Sequence, residues 1–421
     1  MGKSSSKETG FRLIRSLQKR ISENHFSTYW PDFSPYPFAC FDETSVYLCN
    51  HPHPPKNFTE EEGIFIGPRD HRFYGNTSIE LEEVPTAIFD LAFIPEDIEY
   101  AKLYSLMVHE MYHSYQNAVG YQRGSNELLY IKYPQTENHI AIRLLERRTL
   151  LKAIFSETPE DKQFLVNQFF SLREERRKRI GKYVDFELGL ESVEGLAVYV
   201  ESKAYADDTG YPEKFIRSLF CKDLIEPKGT VYDLRRSCYS SGLAIAYLLD
   251  DLFPGWKKDY MASKDFLYDD FLNKWKGNFN RNFPSIDQDT EWLASQVLKK
   301  EFEKRDEEFK QFYKSDGYLI SIKGHFHIYR FDPMNLLPKE NQLLHKHFLQ
   351  CKINDETFVL NEKCITTLTG ETLECSELQF FSNNYPKQHG NQIEINGFGI
   401  VEGVLRKMEN TYEILLSNKS R

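Results

Sequence analysis

The 421-residue chain contains no uninterrupted apolar stretch of membrane-spanning length, and its opening residues (MGKSSSKETGFRLIRSLQKR) lack the apolar core of a secretory signal. No transmembrane segment and no signal-led export are therefore expected. CxxC pairs are missing as well. The seven cysteines, Cys40, Cys49, Cys221, Cys238, Cys351, Cys364 and Cys375, are scattered and odd in number, which argues for reduced thiols and a cytoplasmic location. Nor is there a surplus of positive charge. With 53 basic and 63 acidic residues the formal charge is −10, the wrong sign for a general nucleic-acid binder. The longest basic run, residues 173–182 (REERRKRIGK), mixes in two glutamates near the end of a helical pattern and reads as a solvated face. Gly2 and Ser6 fit the loose MGxxx[ST] pattern for N-myristoylation; the plainer reading is a polar tail ahead of the amphipathic FRLIRSLQKRI. Low-complexity tracts and internal repeats are also lacking, which excludes solenoid architectures.

Bulky apolar residues are plentiful. Aromatics make up 14% of the chain, with 32 Phe and 25 Tyr, enough to pack a core in each of the two domains that this length predicts. Residues 30–60 are rich in Pro, His and aromatics (WPDFSPYPF, HPHPPKNF) and read as loops and short extended pieces; the HxH of His51 and His53 falls in a proline-rich turn with no local third metal ligand. Residues 63–91 alternate in the manner of two or three strands. Pro95-Glu96-Asp97 then opens a long helical pattern that contains HEMYH and ends before Gly120. Helical periodicity returns over 137–155, 159–180, the stretch DFELGLESVEGLAVYVESKAYA, 239–252 and 287–312. Near Gly317 the texture changes to short alternating runs separated by turns. The expected architecture is α+β: an N-terminal tail and helix over 1–30, a mainly helical domain with a small N-terminal sheet over 31–315, and a small all-β domain over 316–421.

His109 and His113 stand four residues apart on the predicted helix, so both imidazoles leave one face and can meet a single zinc ion at about 2.0–2.1 Å. Glu110 follows on a neighbouring face, from which a carboxylate can take a proton from metal-activated water. Two histidines and a carboxylate on a largely apolar helix are costly to bury without a common partner. A hydrolytic zinc site needs a third protein ligand and an open position for water. The stretch ESVEGLAVY offers Glu191 or Glu194.

At this point the chain resembles the gluzincin metallopeptidases, the thermolysin-like and aminopeptidase-N-like enzymes, in which HExxH is completed by a glutamate on a later helix. VEGLAVYVE is similar to the NEGFAxYxE-like setting of that glutamate in the aminopeptidase-N-like branch. The resemblance implies a zincin-like catalytic domain, Glu194 as third ligand with Glu191 as runner-up, and close helix approach at Gly195. CYSSGLAIAYLL resembles the YxKG helix start of the same branch, which implies that Tyr239 steadies the tetrahedral oxyanion. Glu187 and Glu201 are expected to act as outer acceptors or ion-pair partners.

Two departures stand out. The interval between His113 and Glu194 is longer than is usual in those enzymes, leaving room for two extra helices that could cover or narrow the cleft. A GxMEN-like segment for holding a free α-amine is missing, so aminopeptidase activity does not carry over. The resulting expectation is a zinc-dependent hydrolase, a peptidase acting on peptide or protein substrates, with RFYGNTSIELEE as a cleft-edge strand. The alternative is a non-catalytic zinc-binding protein on the same scaffold. His325, His327, His345 and His347 form two alternating pairs that could make a second metal site; surface or cross-strand packing is the preferred reading.

Overall fold

The computed structural model describes residues 2–95, 97–231, 233–275, 284–354, 356–370 and 372–417, with residues 2–10 and Phe93 described by backbone alone. Glu96 of the expected helix opening and the side chain of Ser6 thus lie outside the described residues. The protein is α+β, with a sheet near the N-terminus and an all-β region at the C-terminus. It divides into two units. One comprises Met1–Ser125, Ile142–Arg179 and Glu187–Ile286; the other comprises Asn126–Ala141, Ile180–Phe186 and Asp287–Arg421. The expected boundary at 316 therefore falls inside the second unit, which also draws two short segments from the middle of the chain.

The first unit opens with helix α1 (Gly2–Glu23) and a sheet of six strands: β1 (Phe38–Phe41), β2 (Ser45–Cys49), β3 (Thr59–Glu61), β4 (Ile64–Pro68), β5 (Thr77–Leu81) and β6 (Val84–Asp90). Their order is β3-β4-β2-β1-β6-β5, with β1 and β6 parallel and the other pairs antiparallel. Strands β1 and β2, from the stretch expected to be mostly loop, lie at its centre, and all of β1 and most of β2 are buried. Asp42 makes their tight turn by accepting from the amides of Thr44 and Ser45 at 2.8 Å each. The β5–β6 hairpin turns through Glu82 and Glu83, both in the left-handed region (φ 45° and 64°), with none of the usual Asn or Gly to announce the turn. Strand β5 is left at the sheet edge.

Helix α2 (Tyr100–Ala118) packs on β6 and β5 and carries the HEMYH motif. After α3 (Leu128–Ile131) come α4 (Glu137–Phe155), α5 (Pro159–Ile180), α6 (Val184–Thr209), α7 (Glu213–Cys221) and α8 (Leu234–Leu252). Helices α6 and α8 touch backbone to backbone where Gly195 meets Gly242: a β-carbon on Gly195 would stand 2.5 Å from the Gly242 Cα, and one on Gly242 would stand 2.4 Å from the Glu191 carbonyl oxygen. Glycine is required at both positions by this approach.

Behind α6 lies a buried ionic cluster. Arg143 of α4 and Arg176 of α5 bind Glu187, Arg173 and Arg176 bind Glu146, and Arg173 grips Glu191 with two bonds of 2.8 and 2.9 Å. Arg173 and Arg176 are 1% and 0% exposed, so the basic run 173–182 is not wholly a solvated face. Its i, i+3 pair turns inward because α6 presents buried carboxylates that must be neutralised.

The first unit ends with α9 (Trp256–Ala262) and α10 (Leu267–Lys274); in the second unit α11 (Gln288–Phe312) begins at an Asp287 cap that accepts from the Thr290 amide at 2.7 Å. An eleven-stranded sheet follows between Tyr318 and Leu416. Its longest strand, Tyr318–Phe331, pairs with Glu374–Ser382, Leu349–Ile353 and, in parallel, Thr411–Leu416. The histidine pairs do not converge on a metal site, since among the described residues no His/Cys/Asp/Glu group suited to a cation forms there. His325 and His327 each meet Glu374 (2.9 and 3.2 Å), His347 is exposed, and His345 is buried against Thr366 Oγ1 at 3.0 Å. His51 likewise is a packing residue, its Nε2 on the Leu81 carbonyl at 3.0 Å.

Burial depresses the His345 imidazole to about 3. A base depressed in the folded state contributes stability above its unfolded pKa of about 6.5 that is lost as pH falls toward 3. The second unit should therefore lose on the order of a few kcal/mol over that window, and His345→Gln should flatten the loss in urea titrations read at successive pH values. Gly195→Ala and Gly242→Ala should each reduce stability by about 1–3 kcal/mol in the same assay.

Candidate metal centre

The centre is built from α2, α6 and α8. On α2, His109 and His113 project from one face, with ring centroids 4.9 Å apart and Nε2 atoms 3.1 Å apart. Glu194 reaches them from α6, its Oε2 3.6 Å from His109 Nε2 and 3.3 Å from His113 Nε2. One ligand atom from each of the three lies within 4.8 Å of the others, and this is the one such group among the described residues. The structure thus brings together His109, His113 and Glu194. Glu191 is not available to a cation: besides Arg173, it accepts from Ser241 Oγ at 2.6 Å. Glu187 belongs to the arginine cluster, whereas Glu201 meets His109 Nδ1 at 3.0 Å and is braced by Lys102 Nζ at 2.5 Å.

The donor set fits a divalent cation. Both imidazoles use Nδ1 on an acceptor, Glu201 Oε2 for His109 and Gln116 Oε1 (2.8 Å) for His113, which leaves each Nε2 lone pair facing the common point. Two lone pairs and a carboxylate oxygen at this separation repel unless a proton or a metal ion lies between them. Two imidazoles and one carboxylate match the ligand types of a zinc site with an open position.

Protons take that role in the metal-free chain. Burial alone would lower the His109 imidazole, but hydrogen bonds to Glu194 and Glu201 and the charge of Glu110 outweigh it and raise it to about 10. His113 is raised too, burial again opposed by the Glu194 charge and hydrogen bond. Burial would lift Glu194, yet the His113 charge and both imidazole bonds hold it well below the usual carboxylate range. Glu201, against its own desolvation, is pulled down to about 2 by Lys102 and His109. Glu110 alone of the three carboxylates moves up, because burial exceeds the pull of the two imidazoles.

Tyr239 and Arg235 stand one turn apart on α8, carried there by the Gly195–Gly242 contact. Arg235 Nη2 lies 3.6 Å from Glu194 Oε1, the oxygen that does not face the histidines. The Tyr239 phenol, hydrogen-bonded to Arg235 and Glu194, is pushed up, chiefly by burial and then by the Glu194 charge, so it keeps its proton at neutral pH. A cavity of about 500 Å3 opens here, walled by His109, Glu110, His113, Glu194 and Tyr239 on one side and by Asn76, Thr77 and Ser78 at the start of β5 on the other. No residue of α4 or α5 lines it, so the two extra helices do not narrow the cleft; they serve α6 from behind with the buried arginines. Gln116 and Arg235 were not singled out from the sequence, although HxxQ on α2 and RxxxY on α8 are the helical spacings that put each beside a site residue.

Because the His109 imidazole holds its proton up to about pH 10 and His113 is raised as well, a cation must displace protons to bind, and its apparent affinity should rise with pH through the neutral range. Zinc titration by calorimetry in buffers of different ionisation heat should register release of at least one proton per ion at pH 7; zero release would contradict the site as described. Comparison of the chain with protein-family models, with curated proteins and with solved structures finds no match in any of the three.

Proposed function

We propose that the protein is a zinc-dependent hydrolase, specifically a peptidase of zincin-like fold, with His109, His113 and Glu194 as metal ligands, Glu110 as general base and Tyr239 as oxyanion donor. The observation that carries this reading is the convergence of two Nε2 atoms and one carboxylate oxygen from separate helices beside Glu110, in the wall of a cavity. When bound, a zinc ion supplies a Lewis acid that polarises a carbonyl and sharpens the acidity of water.

The remaining chemistry falls to the chain. Glu110, raised by burial, is a stronger base than an exposed glutamate; its carboxylate takes a proton from the attacking water and delivers it to the leaving nitrogen. Tyr239 donates its hydroxyl proton in a hydrogen bond to the oxygen on which negative charge develops. Strand β5 is at the sheet edge and its first residues, Thr77 and Ser78, line the cavity, a placement suited to binding an extended peptide by strand addition. Peptide or protein is thus the favoured substrate class. Seven unpaired, buried cysteines support a reducing, cytosolic place of action; no helix of the described residues is long and apolar enough to cross a membrane.

Glu110→Gln should retain stoichiometric zinc while cutting hydrolysis of a mixed peptide library by about 10²–10⁴-fold, and Tyr239→Phe by about 10–10³-fold. Wild type and Glu110→Gln giving equal product yields would reject the general-base role. Zinc binding with no cleavage by the wild type would favour the non-catalytic alternative.

A further inference from the structure

Gln116 plays no part in the hydrolysis just described, yet it is 4% exposed and both ends of its carboxamide are engaged. It follows His113 by three residues on α2, close to one turn. Its Oε1 lies 2.8 Å from His113 Nδ1, and its Nε2 donates to the backbone carbonyl of Val193 at 3.1 Å. Val193 is the residue before Glu194. One side chain therefore touches a histidine of the HEMYH helix and the backbone of the glutamate helix, within one residue of the third ligand.

The chemistry of the three groups orders them. A backbone carbonyl can only accept, so the amide must turn its NH2 toward Val193. The Gln116 oxygen then faces His113, and because it too can only accept, Nδ1 must carry a proton. A proton fixed on Nδ1 leaves the lone pair of the neutral ring on Nε2, the atom 3.1 Å from His109 Nε2 and 3.3 Å from Glu194 Oε2. The opposite amide orientation would set an oxygen against the Val193 carbonyl oxygen. His109 is held differently, by the Glu201 carboxylate braced with Lys102, so the two histidines have a charged and a neutral anchor respectively.

We propose that Gln116 is a positioning residue that couples the two halves of the metal centre: the Val193 carbonyl fixes the amide, the amide fixes the His113 tautomer, and the same bridge registers Glu194 against the histidines. This rests on the reading of His109, His113 and Glu194 as a zinc site, and on nothing about the substrate. Only a side chain with a donor and an acceptor on one rigid group can perform both tasks at this reach. Glutamate keeps the acceptor for His113 but turns an oxygen on Val193; leucine supplies neither bond.

The test is zinc affinity of the full-length protein, measured by competition with a chromogenic chelator, for wild type, Gln116→Glu and Gln116→Leu. Expected are losses of about 10–100-fold in both variants, the range for removing an outer partner of a ligand histidine. Urea midpoints of the metal-free proteins should change far less than this. Variants binding zinc within twofold of wild type overturn the proposal while leaving the zinc site intact. Should the variants fail to fold, nitrogen-15 spectra of the zinc-loaded wild type decide it: His113 protonated at Nδ1 and metal-bound at Nε2 supports the proposal, and the reverse tautomer overturns it. A wild type that binds no zinc overturns the zinc site and this inference together. Weakened zinc binding by the variants of a protein that cleaves no peptide supports the inference and removes only the peptidase.

Discussion

Helix α6 buries three carboxylates and half-buries a fourth, and the structure around it is arranged by the need to give each a positive or hydrogen-donating partner. Glu187 takes Arg143 and Arg176, Glu191 takes Arg173 and Ser241, Glu201 takes Lys102 and His109, and Glu194 takes the two histidines with Arg235 alongside. An ionised carboxylate left alone in a low-dielectric interior is untenable, so removing one partner from such a pair is far more damaging than the net worth of the pair implies. Three of the four are neutralised in the interior. Glu194 is the one at a cavity wall, and its companions are imidazoles whose outer nitrogens are already committed. The His109–His113–Glu194 cluster is in this sense the open end of a charge-balancing scheme that runs along one helix.

That scheme explains the long interval between His113 and Glu194. Helices α4 and α5 supply the arginines, and the segment between the two halves of the motif is therefore part of the site's foundation, with no share in the walls of the cleft. The glycine contact between α6 and α8 completes the arrangement: without it, Tyr239 and Arg235 would be held back from Glu194 by the width of a side chain.

Much of this was legible in the residues. The i, i+4 histidines and their glutamate declare themselves by spacing, and helices α4, α5 and α11 follow their apolar periodicity to within a residue. Glu194 was legible only through its resemblance to a known setting, since spacing alone left Glu191 open beside it; what separates them is Arg173, which binds Glu191 from eighteen residues earlier in the chain and is hidden in a run that reads as solvated. Strands β1 and β2 were masked by flanking prolines, and the β5–β6 turn by glutamates in a conformation they seldom adopt. The extent of the second unit was out of reach for a different reason. Periodicity tells which face of a helix is buried and not which core receives it, and Leu128 and Ile131 join the C-terminal β core although the chain up to Ser125 and from Ile142 onward belongs to the other unit.

The separation of the two histidines from Glu194 by eighty-one positions, with two full helices in between, has a consequence for biosynthesis. A ribosome that has released α2 has exposed at most a two-coordinate site, and at about 5–20 residues per second several seconds pass before α6 and α8 emerge. On the proposed reading of the centre, ion capture would be a late event, coincident with docking of those helices, so that a nascent or truncated polypeptide carries the recognisable motif without the grip.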